Sequence, residues 1–197
     1  MAQGEAGARR LSAGKPATGE KGTTIRCFVA LQPDAAARDR LDRLAHAQHS
    51  LFPHARRMRR DNLHLTVAFI GALDEAIARH VAQQLARQTV ETFDWTLGDI
   101  GVFERARVLW VGGTDRRLDA LAVRVRQLLD ALDVRYDRKP FVAHVTLLRK
   151  LPRGAARSAA RHIEPPILWR VAAPVLLQSR TDSDGTRYTP VAAAGGA

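Results

Sequence analysis

The period of the apolar residues changes repeatedly along the chain, and this alternation limits the fold more than any other feature. Ile25 to Leu31 is a nearly continuous apolar run that predicts a buried strand. Pro33 and Asp34 then mark a helix entry, with an amphipathic stretch to about Leu51 that Pro53 ends. Asn62 precedes a second strand, Leu63 to Ile70, closed by Gly71, after which Ile77, Val81 and Leu85 give helical spacing between Asp74 and about Val90. Phe93 to Phe103 and Val108 to Val111 read as strands joined by the charged turn Glu104 to Arg107. Leu118, Leu121, Val125 and Leu128 share one face of a helix from about Asp115 to Leu132. A strand over Phe141 to Leu148 follows, and Val171 to Arg180 with Arg187 to Val191 forms a closing hairpin about the turn Asp182 to Gly185. Helices between strands, with some strands joined by short turns, imply an α+β fold with antiparallel or mixed sheets.

Residues 1–22 hold one large apolar side chain, Leu11, and are expected to be a disordered tail. Residues 23–192 are expected to form a single domain, with residues 193–197 a flexible end. No apolar run approaches the roughly 20 residues of a membrane-spanning helix, and the N-terminus lacks the apolar stretch of a secretory signal. A soluble, cytoplasmic monomer without membrane contact is therefore expected. The single cysteine, Cys27, lies in the first strand and reads as a packing residue.

The formal net charge is +11. The tail carries +2 of it, so the folded body is basic in its own right and suits a polyanion such as nucleic acid. Only four of the basic residues are Lys, so the Arg excess is also what a biased genome composition would produce.

Two strands stand out. Each contains His-x-Thr inside an apolar run: His64-Leu65-Thr66 and His144-Val145-Thr146. With seven His and twelve Thr in 197 residues, roughly 0.4 such strings arise by chance, so the bare motif is weak and its context is what counts. Side chains two apart on a strand share a face. His64 with Thr66, and His144 with Thr146, would therefore each look out together while Leu65 and Val145 face a core. Brought together, two imidazoles and two hydroxyls suit phosphodiester hydrolysis without a metal: one neutral imidazole takes a proton, one charged imidazole gives one, and the hydroxyls bind phosphoryl oxygens. Either copy alone would read as an ordinary partly buried strand histidine beside a good strand former. Metal binding by the pair is disfavoured, since no third or fourth ligand stands at a telling spacing. His46, His49, His54, His80 and His162 read as surface or packing residues.

These segments resemble the 2H phosphoesterases, and within them the bacterial and archaeal RNA 2',3'-cyclic phosphodiesterases, the 2'-5' RNA ligase-like or LigT-like proteins. Arg26 to Leu31 resembles that family's opening strand, and Asn62 to Gly71 its first motif with flanks. Gly101-Val102-Phe103 and Val108 to Val111 resemble its central strands, Lys139 to Thr146 with Leu147 and Arg149 its second motif, and Ser179-Arg180 with Gly185 to Tyr188 its closing hairpin. The likeness spans about residues 25 to 191. It implies a bilobal, pseudo-twofold α+β fold of two mixed or antiparallel sheets with flanking helices, the motifs facing across a central cleft. It also implies that His64 donates a proton to the leaving 3'-oxygen and that His144 activates water, leaving a 2'-phosphate, with no cofactor. By position, Phe28 would offer a ring to the nucleobase and Arg149 a guanidinium to the phosphate, against plainer readings of packing and surface solvation. One departure is Ala143, where the family usually has proline.

Three readings follow. The first is hydrolysis of 2',3'-cyclic phosphate ends on RNA or cyclic nucleotides. A second is 2'-5' ligation of RNA halves bearing 2',3'-cyclic phosphate and 5'-hydroxyl ends, the same chemistry reversed. The third is a non-catalytic module that binds RNA ends.

Overall fold

The computed structural model describes residues 23–155, 162–183 and 185–192. The expected N-terminal tail and residues 193–197 lie outside the described residues. Among the described residues three α-helices form where the apolar spacing predicts them: α1 (Ala35–Leu51), α2 (Glu75–Ala86) and α3 (Arg116–Ala131). Each begins at an aspartate, Asp34, Asp74 and Asp115, whose carboxylate accepts a first-turn backbone N–H and satisfies a donor that the helix cannot. Asp34 also accepts the backbone N–H of Arg170 at 2.9 Å, tying the start of α1 to a distant strand. The buried face of α2 is made by Ala78, Val81, Ala82 and Leu85, whereas Ile77, expected on that face, is 45% exposed.

Among the described residues nine strands pair antiparallel: β1 (Thr24–Leu31), β2 (Arg56–Arg57), β3 (Leu65–Asp74), β4 (Phe93–Phe103), β5 (Val108–Gly112), β6 (His144–Arg149), β7 (His162–Val171), β8 (Val175–Asp182) and β9 (Gly185–Pro190). The α+β class and antiparallel pairing are as expected. The two separate sheets are not: the order β7-β4-β5-β6-β3-β1-β8-β9, with β2 on β6, is one sheet. Its halves meet at β3 and β6 through one residue pair, Leu65 with Val145. Both side chains are wholly buried in a core shared with Leu41 of α1, Val81 and Leu85 of α2, and Leu121 and Val125 of α3.

Three sequence readings need correction. Residues 162–171 form strand β7 rather than a connection, so the hairpin strand begins at Val175 rather than Val171. Pro165 and Pro166 hid it, because proline cannot donate to a ladder. They are tolerated here because β7 is an edge strand and they lie where its register with β4 shifts, between the pairs Leu97 with Ile167 and Asp99 with His162. Gly71 does not end β3. The strand continues to Asp74 through a bulge, in which Cys27 pairs with Gly71 and Phe28 with Phe69, and Gly71 takes φ 88°. Finally, β2 lies inside what reads as a loop, since two arginines carry no strand signal.

The sheet is tight where β5 meets the second motif. Gly112 pairs with His144, and a Cβ on Gly112 would stand 2.3 Å from the backbone oxygen of Ala143. Backbone cannot rotate aside as a side chain can. Gly112→Ala is therefore expected to destabilise the fold by about 1–3 kcal/mol, read as a lower urea midpoint. A midpoint equal to that of the parent would show that the two strands separate at no cost.

Candidate active site

The seam between the half-sheets decides where the motifs go. Leu65 lies opposite Val145 in an antiparallel pair, so His64 is set beside Thr146 and Thr66 beside His144. Alternation then puts these four side chains on the face opposite the core. Burial follows that alternation in both motifs: each central residue is fully buried, and each His and Thr is half-buried. The four residues that the sequence singled out are thus brought to one cleft.

The two histidines are built alike. His64 Nδ1 donates to the backbone oxygen of Asn62 at 2.7 Å, and His144 Nδ1 donates to that of Val142 at 2.7 Å, each reaching back two residues. A carbonyl only accepts, so Nδ1 carries hydrogen in both rings, and Nε2 is the nitrogen left for the cleft. Thr66 Oγ1 lies 3.0 Å from His64 Nε2 and donates to it when the ring is neutral. Each imidazole also meets aromatic rings edge-on: His64 meets Tyr188 at 5.1 Å between centroids and has Phe28 tilted at 4.9 Å. His144 meets Phe103 at 4.9 Å and Trp110 at 6.2 Å.

These surroundings disfavour the imidazolium. Burial pushes the His64 pKa from 6.5 down to about 4; the hydrogen bond to Asn62 opposes this, while the charges of Arg149 and His144 add to it. Burial likewise lowers the His144 pKa, opposed by the bond to Val142 and aided by Arg149. No carboxylate hydrogen-bonds either ring among the described residues. Asn62 anchors the first motif: it is a buried polar residue whose amide donates to the backbone oxygen of Thr186 on β9 at 2.6 Å.

Two chambers open from the motifs. One of about 610 Å³ is lined by His64, Phe28, Tyr188, Arg26, Arg56 and Arg149, among others. The other, of about 790 Å³, is lined by both histidines, both threonines, Phe103 and Phe141, among others. His64, Phe69, Asp137 and Arg149 border both, so the chambers adjoin at the motifs. Arg149 stands where its charge reaches both imidazoles. Phe28 lines the cleft but is only 5% exposed and packs in a small cluster with Ala30 and Leu177, so it forms a wall rather than a free platform. The exposed ring nearby is Phe69, at 53%. Tyr188, Phe103, Asn62 and Arg56 also border or brace the site, although no spacing in the sequence links them to the histidines. His162 pairs with Asp99 at 3.2 Å at the start of β7, away from both chambers. Among the described residues, no three of His, Cys, Asp and Glu stand together as a metal-binding group.

The comparisons with known proteins agree with this arrangement. The RNA 2',3'-cyclic phosphodiesterase of Escherichia coli is 32% identical over 173 residues, covering 84% of this chain and 93% of the relative. The protein of the same name from Archaeoglobus fulgidus is 29% identical over 129 residues, covering 64% and 72%. The crystal structure of Escherichia coli LigT complexed with 3'-AMP superposes with a TM-score of 0.74 at 28% identity, covering 85% of this chain and 95% of that one. A structure from Thermus thermophilus superposes at 0.65, with 26% identity and coverage of 84% and 94%. The sequence profile of the 2'-5' RNA ligase superfamily matches residues 32–183, a span that contains both His-x-Thr strands and the seam joining them, and the chain belongs to that superfamily.

Proposed function

We propose that this protein is an RNA 2',3'-cyclic phosphodiesterase, which uses water to open the cyclic phosphate at an RNA end or on a nucleotide and leaves a 2'-phosphate. The observation that carries this reading is the pair of like-built imidazoles meeting in one cleft, each with Nδ1 bound to a backbone carbonyl and Nε2 on the cleft side. The names of the relatives support the same substrate class. One chain supplies both histidines, so a monomer needs no second copy to complete the site.

In the proposed step, neutral His144 takes a proton from water through Nε2 as the water oxygen bonds to phosphorus. The bond from phosphorus to the 3'-oxygen breaks, and the imidazolium of His64 gives its Nε2 proton to that oxygen. The ring protons are restored by exchange with solvent, so the net change is addition of one water. Thr66 and Thr146 hold non-bridging oxygens, and Arg149 offsets the charge that builds on them. Mutual repulsion between the rings favours one proton on the pair rather than two, which is the state this step requires.

His64→Ala and His144→Ala should each lower kcat/KM for adenosine 2',3'-cyclic phosphate by about 10²–10⁴-fold while circular dichroism stays that of the parent, and activity should survive a chelator. Full activity in both variants would rule out the mechanism. The pH profile gives a separate test. Both histidine pKa values are lowered from 6.5 in the free protein. The pair therefore loses its one proton below that pH, and kcat/KM should be falling by pH 6.5. A bound phosphodiester anion favours the imidazolium and raises the His64 pKa. The alkaline limb of kcat should then lie at higher pH than that of kcat/KM, and coincident limbs would refute the assignment.

A further inference from the structure

The smaller chamber carries more positive charge than one cyclic phosphodiester requires. Arg26, Arg56 and Arg149 all line it. Among the described residues, no carboxylate pairs with any of the three. The contrast with their neighbours is local: Arg57 is held by Asp42 at 2.7 Å, and Arg60 pairs with Asp39, both acids lying on α1. Arg57, which also lines the chamber, is thus neutralised from the helix side, whereas Arg26, Arg56 and Arg149 have no such acid among the described residues. Asp137, the one acid bordering the chamber among the described residues, is already engaged by Lys139 at 2.8 Å.

The strands order these cations relative to the reacting end. Phe28 touches His64, and Arg26 lies two residues back on β1, one strand repeat or about 7 Å further from the motifs. Their register runs the same way, since Ala30 pairs with Thr66 but Arg26 with Ala72. Arg56 pairs with Arg149 across β2 and β6, and its Nη2 reaches over to β9, standing 3.1 Å from where a side chain would begin at Gly185. Arg149 therefore sits at the histidine end of the chamber, Arg56 stands beside it on β2 and extends toward β9, and Arg26 lies one strand repeat beyond Phe28. The volume of about 610 Å³ suits a nucleotide-sized ligand.

We infer that Arg26 and Arg56 form a second anion subsite, which takes the phosphate on the 5' side of the reacting nucleoside. This rests on the proposed hydrolase reading and narrows its substrate class: the ribose separates the two phosphates by one sugar, and the chamber presents cations at both ends of that span. A bare nucleoside cyclic phosphate fills only the histidine end. A 5'-phosphorylated nucleotide or an RNA strand fills both.

Equilibrium binding tests the subsite without turnover. Isothermal titration of the full chain would compare adenosine 2'-phosphate, adenosine 2',5'-bisphosphate, and the adenine dinucleotide ending in a 2'-phosphate. The bisphosphate should bind about tenfold or more tightly than the monophosphate at low salt, with an advantage that shrinks as salt is raised. In Arg26→Ala/Arg56→Ala the ratio should fall below about threefold, and Arg56→Glu, a charge reversal at an exposed position, should lower it as well. Equal affinities in the parent, or an advantage that persists in the double variant, would overturn the subsite. A dinucleotide that gains as much as the bisphosphate identifies an RNA strand as the ligand, and a gain confined to the bisphosphate identifies a free nucleotide. If the advantage holds while no cyclic phosphodiester is opened, only the hydrolase reading fails. If turnover is normal and the advantage is absent, only the subsite fails.

Discussion

The contact on which the rest depends is the pairing of Leu65 with Val145, the one residue pair joining the two halves of the sheet. Both side chains are fully buried, and each contributes about 1.5–3 kcal/mol of apolar burial. Because strand side chains alternate, fixing these two in the core fixes His64, Thr66, His144 and Thr146 on the other face. A slip of one residue would drive two imidazoles into the core, which strongly specifies the register. With only that pair bridged, the cleft has room to open directly above the seam, where the four polar side chains stand.

The electrostatics of the site follow from the same geometry. Packing against Phe28, Tyr188, Phe103 and Trp110 removes water from both imidazoles and lowers their pKa values, and backbone carbonyls hold both rings in one tautomer. An empty cleft of this kind resists protonation, and an anion entering it reverses that preference. Substrate charge thus helps to create the acid that the proposed reaction needs. Arg149 assists differently: it opposes charge on the rings and favours it on the phosphate.

The basic surplus of the chain acquires a location in the structure. Acids on α1 neutralise Arg57 and Arg60, whereas Arg26, Arg56 and Arg149 face the smaller chamber without such partners among the described residues. Net charge alone does not separate a nucleic-acid partner from a compositional bias toward arginine. Three guanidiniums that line one chamber without a partner carboxylate among the described residues favour the anionic partner.

What was legible in the sequence is what depends on local periodicity. Asp34, Asp74 and Asp115 marked the three helix starts, β4 was read to its ends, and the His-x-Thr alternation told inward from outward residues before any contact was known. What escaped is what depends on partners remote in the chain. Pro165 and Pro166 argue against a strand until β7 is known to be an edge, Gly71 argues for a strand end until the bulge against β1 is seen, and two arginines become β2 only by pairing with β6. By itself the sequence determined the residue types and their faces, because backbone geometry within a strand or helix is set by near neighbours. Only the tertiary structure decided that the two strands adjoin, that the sheet is single, and that Tyr188, Phe103, Asn62 and Arg56 reach the cleft, because burial of distant apolar faces against one another chooses those neighbours and no local spacing records the choice.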